Sequence, residues 1–148
     1  MALKTSTGLR NHMMGVGSFK SAMDGTELRI FAGATPASAD DDCTAATLLC
    51  TIYEDGDPMT PLHWEATAAG GVLPKLSSEF WSGTVSASGT AAFFRIVLPA
   101  DTNAASATDK RVQGGIGLVA SDLNLSSLAL TVGATQIIDS FSMMLPTY

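Results

Sequence analysis

The chain has 148 residues, of which 46% are hydrophobic and 15% are charged, and its formal net charge is −6. This length suits one domain with its own core. The acidic balance argues against nucleic acid as a direct partner, because phosphate binding needs clustered Lys and Arg side chains. No uncharged apolar run approaches the roughly 20 residues of a membrane span. The low charge content predicts apolar surface for contacts between proteins, the alternative being a dense core rich in small residues.

The N-terminal segment 1–24 is the stretch with helical spacing. Ser6 or Thr7 can cap its first turn, and apolar residues follow at intervals of three and four positions. Gly15 and Gly17 interrupt the pattern, because a glycine inside a helix costs about 1 kcal/mol relative to alanine. We therefore predict a helical arm of one or two short helices, which packs either on the chain's own sheet or on a neighbouring subunit.

Residues 25–148 read as short β strands separated by turns rich in Gly, Pro, Asp and Ser. The regular succession of strands and turns predicts a mainly β fold, an antiparallel β-sandwich or jelly-roll-like domain that spans this whole range. The predicted strands are 27–33, 47–53, 62–68, 72–76, 81–87, 91–98, 110–119, two series within 121–132, and 136–146.

The stretch 79–99 has the strongest β signal. Its first arm alternates from Trp81, its second arm is nearly continuous apolar sequence broken only by Arg95, and residues 87–90 have turn chemistry. We predict a hairpin at the centre of the core. One ring of each adjacent aromatic pair faces the core, and the other faces the N-terminal helix or a neighbouring subunit; the pairs are Phe80/Trp81 and Phe93/Phe94.

Cysteines and acidic residues predict no cofactor and no metal site. The spacing of Cys43 and Cys50 fits no common zinc pattern. The N-terminus lacks an apolar signal sequence, so we expect folding in a reducing cytoplasm with both thiols free. Three consecutive aspartates at 40–42 lack the alternate spacing of a calcium loop, and a solvated loop is expected there.

Catalytic motifs are absent from the sequence. The two histidines, His12 and His63, belong to no G-x-S-x-G or H-E-x-x-H pattern, so we predict that the protein is not an enzyme. Catalysis would require His63 to cluster with carboxylates in the fold. Carbohydrate binding is the alternative class, with Tyr53, Trp64 or Trp81 stacking on sugars, although Trp81 is expected in the core.

Six pieces of the sequence occur in a distinctive order. They are STGLRNHMMG, ELRIFAGATPASADD, ATLLCTI, WSGTVSASGTAAFFRI, QGGIGLVASDLNLSS and ALTVGATQIIDSFSMMLP. Their order, over nearly all of residues 6–146, resembles that of a family of small virion structural proteins from tailed bacteriophages. Proteins of this kind look like head decoration (cement) proteins or tail-associated components, and no catalytic residues belong to the pattern.

The resemblance implies a non-enzymatic virion structural protein, most simply a decoration protein that stabilises the capsid. A tail, fibre or adaptor component, with or without glycan binding, is the alternative. The implied partners are the major capsid protein or other virion proteins and further copies of the chain, with a trimer favoured. Assembly in the host bacterial cytoplasm is implied. The candidate interface residues are Leu9, Met13, Met14, Phe19, Trp81 and Phe94.

Overall fold

A computed structural model describes residues 3–145. It is mainly β, with two short helices near the N-terminus, which confirms the predicted fold class. Pro146, the last residue of the predicted strand 136–146, lies outside the described residues. The elements are β1 (Lys4–Thr5), α1 (Thr7–Gly15), α2 (Phe19–Met23), β2 (Glu27–Ala32), β3 (Thr47–Glu54), β4 (Val72–Pro74), β5 (Trp81–Thr84), β6 (Gly89–Thr90), β7 (Phe93–Val97), β8 (Arg111–Gly117), β9 (Leu123–Asn124), β10 (Ala129–Leu130), β11 (Thr135–Ile138) and β12 (Ser142–Met144).

Most strands belong to one eight-stranded sheet with the order β1-β8-β7-β2-β3-β5-β11, in which β9 also pairs with β8. The β8–β9 pair is parallel and the other pairs are antiparallel. Two small two-stranded sheets, β6–β10 and β4–β12, lie outside this path. The antiparallel sheets are consistent with a β-sandwich-like fold.

The hydrophobic core lies on one face of the large sheet. Leu28 pairs with Ile52 on one side and with Ile96 on the other, and Ile30 pairs with Phe94. These side chains share a face because residues opposite each other in a sheet point the same way, and all of them are fully buried. The helices and the later segments pack over this face through Leu9, Met23, Trp64, Leu123, Leu125, Phe141 and Met143.

Trp64 is the centre of an aromatic cluster that joins these layers. Its ring centroid lies 5.2 Å from that of Phe19, 5.6 Å from that of Trp81 and 5.8 Å from that of Phe141. The three contacts have the edge-to-face geometry that aromatic rings favour. The indole Nε1 donates a hydrogen bond to the Met23 carbonyl oxygen at 3.2 Å. One tryptophan therefore fixes α2 against the sheet.

The predicted hairpin over 79–99 is wrong in its pairing, although both of its strands exist. β5 lies between β3 and β11, whereas β7 lies between β2 and β8. The intervening turn residues form β6, which pairs with β10. Alternation and turn chemistry specify where a strand lies but not which strand becomes its neighbour.

Phe93 corrects the expectation about the second ring of each aromatic pair. Phe94 lies in the core, and Phe93 is fully buried on the opposite face, where its ring stacks on Phe31 at 5.0 Å. Cys43 packs against both rings. The cover over Phe93 is therefore the chain's own loop 33–46, not the N-terminal helix or a neighbouring subunit.

The predicted strand 62–68 is also wrong, because two consecutive backbone donors in it are bonded to side chains. The His63 N–H donates to Glu79 Oε2 at 2.9 Å, and the Trp64 N–H donates to Asp24 Oδ1 at 3.0 Å. Only isolated bridges remain there, such as the one between Leu62 and Thr26. The two apolar series predicted within 121–132 contain β9 and β10, whereas the predicted strand 136–146 is divided between β11 and β12.

Helix α1 begins where the sequence predicts. The Ser6 hydroxyl accepts a hydrogen bond from the Leu9 N–H at 3.1 Å. The same hydroxyl donates to the Asp109 carbonyl oxygen at 2.7 Å and accepts from the Arg111 N–H at 2.9 Å. The predicted interruption separates α1 from α2. The cap of α1 is thus also the joint that attaches the helix to the sheet.

We expect Gly8→Ala to destabilise the protein. A Cβ at Gly8 would overlap the Thr108 carbonyl oxygen, so α1 or the backbone beneath it would have to move. The free energy of unfolding should fall by about 1–3 kcal/mol. Gly15→Ala is the matched control, since no atom lies within 4 Å of a Cβ there, and it should be neutral or stabilising by up to about 1 kcal/mol. Urea unfolding measures both; equal midpoints would contradict the close contact.

Candidate interaction surfaces

The face of the sheet opposite the core carries a row of polar side chains. Strand pairing aligns Lys4 with Gln113, Gln113 with Arg95, Arg95 with Arg29, and Arg29 with Thr51. Because paired residues share a face, the row crosses five neighbouring strands. Gln113 and Arg95 are fully buried, and Arg29 is buried nearly as deeply.

Loop 33–46 covers this row and is held to it by side-chain donors. Residues 33–46 form no helix or strand, so the buried carbonyl groups of the loop need hydrogen-bond donors other than a neighbouring strand or helical turn. The buried donors of Arg29, Arg95, Arg111 and Gln113 are named here the arginine layer. The bonds to the loop are Lys4 Nζ to Ala37 O (2.7 Å), Gln113 Nε2 to Pro36 O (2.8 Å), Arg95 Nη2 to Ser38 O (3.4 Å) and to Asp41 O (2.7 Å), and Arg111 Nη1 to Ala39 O (3.2 Å).

Arg111 and Asp101 form a buried, bidentate ion pair that holds a second loop, 98–110. Arg111 Nε lies 2.6 Å from Asp101 Oδ2, and Nη2 lies 2.9 Å from Oδ1. The side chains are 0% and 3% exposed. Arg29 fixes the same loop, because its Nη1 donates to the Asp101 carbonyl oxygen at 2.8 Å and to Asn103 Oδ1 at 2.9 Å. Both loops are therefore immobilised by the same layer.

Arg95 differs from Arg111 because it has no carboxylate partner. Its Nε donates to Gln113 Oε1 at 2.9 Å, and among residues 3–145 its Nη1 is the buried side-chain polar atom without a hydrogen-bond partner. Burial lowers the pKa of Arg95, and burial raises the pKa of the nearby Cys43 thiol. Cys43 and Cys50 are both buried free thiols. Neither cysteine is thus prepared as a thiolate nucleophile.

Asp40 connects loop 33–46 to the first turn of α1. Its Oδ1 accepts from the Thr7 N–H at 2.8 Å, and its Oδ2 accepts from the Thr7 hydroxyl at 2.6 Å. Burial raises the pKa of Asp40, but these two bonds, with Arg10 and Arg111 nearby, outweigh burial and hold the pKa below its ordinary value of 3.8. The carboxylate also interacts favourably with the positive end of the helix dipole.

His63 does pair with a carboxylate, Glu79. His63 Nδ1 lies 2.6 Å from Glu79 Oε1, and Glu79 Oε2 accepts from the Trp81 indole at 2.7 Å. This resembles the base and orienting acid of a catalytic triad. Among the residues described, however, no Ser, Thr or Cys hydrogen-bonds to the imidazole. The pair joins the segment before β4 to the start of β5.

The six candidate interface residues are divided by the fold. Leu9, Trp81 and Phe94 are fully buried in the chain's own core, so they offer no surface to a partner in this structure. Met13 and Phe19 are partly buried against the same core. Met14 alone is largely exposed, at 88%. Helical spacing selected the face of the arm that packs inwards.

Other large apolar side chains are exposed that are not among the six candidate interface residues; one of them, Phe80, is the outward ring of the pair Phe80/Trp81. They are Val16, Met59, Phe80, Leu98, Leu118, Val119, Val132, Ile137, Met144 and Leu145.

Two grooves lie among these surfaces. One, of about 330 Å³, is lined mainly by apolar side chains, including Phe19, Leu73, Met143 and Leu145. The other, of about 300 Å³, is lined by hydroxyl groups on the open part of the polar face; its residues are Thr51, Tyr53, Gly56, Pro58, Thr84 and Ser86. Of the three aromatic residues considered for sugar stacking, Trp64 and Trp81 are buried in the core.

Comparison of the chain with protein-family models, with curated proteins and with solved structures finds no significant match. Within residues 3–145, neither helix has the length and apolar character needed to cross a membrane. The same residues contain no group of three or more His, Cys, Asp or Glu side chains arranged to hold a metal ion.

Replacing Arg111 with Leu should be far more destabilising than replacing Arg95. The Arg111→Leu variant leaves the buried Asp101 carboxylate unpaired, and we expect the free energy of unfolding to fall by about 3–5 kcal/mol. The Arg95→Leu variant leaves no carboxylate unpaired. Its free energy of unfolding should fall by about 1–3 kcal/mol through lost hydrogen bonds. Urea unfolding followed by tryptophan fluorescence compares the two. Equal losses would show that the ion pair is not the dominant interaction.

The Asp40→Asn variant should have a pH-dependent effect on stability. Because folding lowers the pKa of Asp40, the stabilisation is present above the pKa of the unfolded chain and is lost as the pH falls through the folded pKa. We expect a loss of about 0.5–2 kcal/mol at neutral pH, shrinking below about pH 4.

Asp139→Asn is the control for this measurement, because Asp139 is exposed. Its effect should be within about 0.5 kcal/mol. If the Asp40→Asn variant kept a constant loss of stability down to about pH 3, the role of the charged carboxylate would be contradicted.

Proposed function

We propose that the protein is a non-enzymatic structural protein of a bacteriophage virion, which decorates the capsid and stabilises the head through subunit contacts. The observation that carries the proposal is the combination of immobilised loops with exposed apolar side chains. Loops 33–46 and 98–110 are fixed by the arginine layer, while residues such as Met14, Met59 and Val119 remain at the surface. A rigid surface loses little conformational entropy when it binds.

The distribution of chemical groups supports a contact role. The buried arginines bond to backbone carbonyls and to Asp101, and Glu79 uses both oxygens to hold His63 and Trp81. These bonds hold loops and strand ends in place, which supports a structural role for the groups. The order of sequence pieces that resembles small phage virion proteins points to the same class.

A shell protein also needs surfaces that accept neighbours. Strands β1 and β11 end the main path of the large sheet, and an edge strand can add to the sheet of a partner through main-chain hydrogen bonds. The net charge of −6 would keep decorated particles apart in solution. The partner in this proposal is the major capsid protein.

A tail, fibre or adaptor component that binds glycans is the second candidate. The observation that favours it is the groove lined by Thr51, Tyr53, Thr84 and Ser86. Hydroxyl groups can exchange hydrogen bonds with a sugar, and Tyr53 adds an aromatic surface. A glycan-binding screen with a Tyr53→Ala control addresses this activity directly.

Two measurements on purified particles of the encoding phage test the decoration proposal. Quantitative mass spectrometry should give several hundred copies per particle, and immunogold labelling should place them on the head. Particles assembled without the protein should release DNA at a lower temperature or after a milder osmotic shock. Re-addition of the folded protein should restore resistance.

Different outcomes separate the candidates. A few to a few tens of copies at the tail, together with heads of normal heat resistance, would contradict decoration and favour an adaptor or fibre. Absence of the protein from purified particles would contradict both virion roles. Re-addition of the Arg111→Leu variant controls for rigidity, since its loops are expected to be released.

A further inference from the structure

A polar pocket is lined by residues in and beside β4, β9 and β12. Its volume is about 440 Å³, which lies in the range of about 300–1,000 Å³ that is usual for small-molecule sites. Four polar side chains line it, and they come from the segments around β9 and β12: Asp122, Asn124, Ser140 and Ser142. Among the residues described, no Lys, Arg or His side chain lines the pocket.

Asp122 is fixed by the neighbouring strand β8 and keeps one oxygen unpaired. Its Oδ2 accepts a hydrogen bond from the Gly115 N–H at 2.8 Å. A Cβ at Gly114 would lie 2.8 Å from the Asp122 Cβ, so the glycine leaves room for this side chain. Within residues 3–145, Asp122 Oδ1 accepts no hydrogen bond. A carboxylate oxygen that is held in place and unpaired is a strong acceptor for a ligand hydroxyl group.

Asn124 and the two serines supply the other unpaired groups. Asn124 Oδ1 accepts from the Ser121 N–H at 3.1 Å, and this bond sets the orientation of the amide, so that Nδ2 remains as a donor. In the described part of the chain, neither this Nδ2 nor the hydroxyl groups of Ser140 and Ser142 are hydrogen-bonded. The pocket therefore offers one charged acceptor, one amide donor and two hydroxyl groups that can donate or accept.

This set of groups favours an uncharged, hydroxyl-rich ligand over other classes. An anion would meet the Asp122 carboxylate with no cation in the wall to offset the repulsion. An apolar ligand would leave the polar groups without partners. A calcium ion takes about six to eight oxygen ligands, whereas the pocket has one carboxylate. A sugar suits it, because each sugar hydroxyl both donates and accepts and its C–H surface can pack on Val72 and Pro74.

We propose that this pocket binds one sugar unit of an uncharged carbohydrate. Neighbouring hydroxyl groups of the sugar donate to Asp122 Oδ1 and accept from Asn124 Nδ2, and its C–H surface covers Val72 and Pro74. The site shares no residue with the groove at Tyr53. It does not depend on the proposed role in a virion.

Amide proton–nitrogen NMR spectra of the full chain test the proposal. The chain is titrated separately with D-glucose, D-galactose, D-mannose and N-acetyl-D-glucosamine. At least one of these sugars should cause saturable shifts in the amide signals of residues 122–124 and 140–142. Glycerol, which has hydroxyl groups but no sugar ring, is the control ligand and should cause no saturable shift.

Three variants locate the binding. Asp122→Asn keeps an acceptor for the Gly115 N–H but replaces the unpaired acceptor by a donor, so it should weaken binding of that sugar by at least about tenfold. Ser142→Ala removes one exposed hydroxyl group from the pocket and should weaken binding by about twofold to tenfold. Thr84→Ala is the matched control, because it removes an exposed hydroxyl group that lines the Tyr53 groove instead, and it should bind as the wild type does.

Three results would overturn the proposal. One is the lack of a saturable response to any of the four sugars. Another is binding that Thr84→Ala weakens and Ser142→Ala does not, since the sugar would then occupy the Tyr53 groove. The third is a response of residues 122–124 to calcium chloride and to none of the sugars, which would identify a cation site. Head decoration is judged separately by particle composition and heat resistance, so either proposal can fail alone.

Discussion

The structure depends on the buried ion pair between Arg111 and Asp101. Burying two charges is costly, and the cost is offset only where the geometry is good and the remaining donors are satisfied. Here the pair is bidentate, and Arg111 also donates to the carbonyl oxygens of Ala39 and Ala104. One guanidinium therefore holds together β8, loop 33–46 and loop 98–110. Without it, both loops would lose a buried attachment to the polar face of the sheet.

This arrangement lets one sheet bury both of its faces with different chemistry. On one face, apolar side chains such as Ile30 and Phe94 pack with the helices and the aromatic cluster. On the other, Arg95 and Gln113 hold loop carbonyls, and Phe31 and Phe93 form a small apolar cluster beside them. The carbonyl groups of the covering loop thus bond to side-chain donors of the sheet. In a second sheet, neighbouring strands would have satisfied them.

Local sequence predicts the strands well and their neighbours poorly. Alternation predicts β2 and β5, and Ser6 predicts the start of α1, because both signals act within a few residues. The pairing of β5 with β11 joins residues more than fifty positions apart, and no turn sequence encodes it. In the sequence, Arg95 is only an interruption of an apolar strand. Its acceptors are backbone carbonyls at Ser38 and Asp41, which any residue type could provide.

The candidate interface residues also show what local sequence patterns can and cannot predict. Periodicity finds the residues that a helix buries, such as Leu9; of the candidate residues in α1, Met14 alone is largely exposed. A flexible arm could fold exposed apolar side chains back onto the protein. Here the bonds to His12 and the Trp64 cluster hold α1 and α2 in place. Met14 keeps its unfavourable contact with water until another surface covers it.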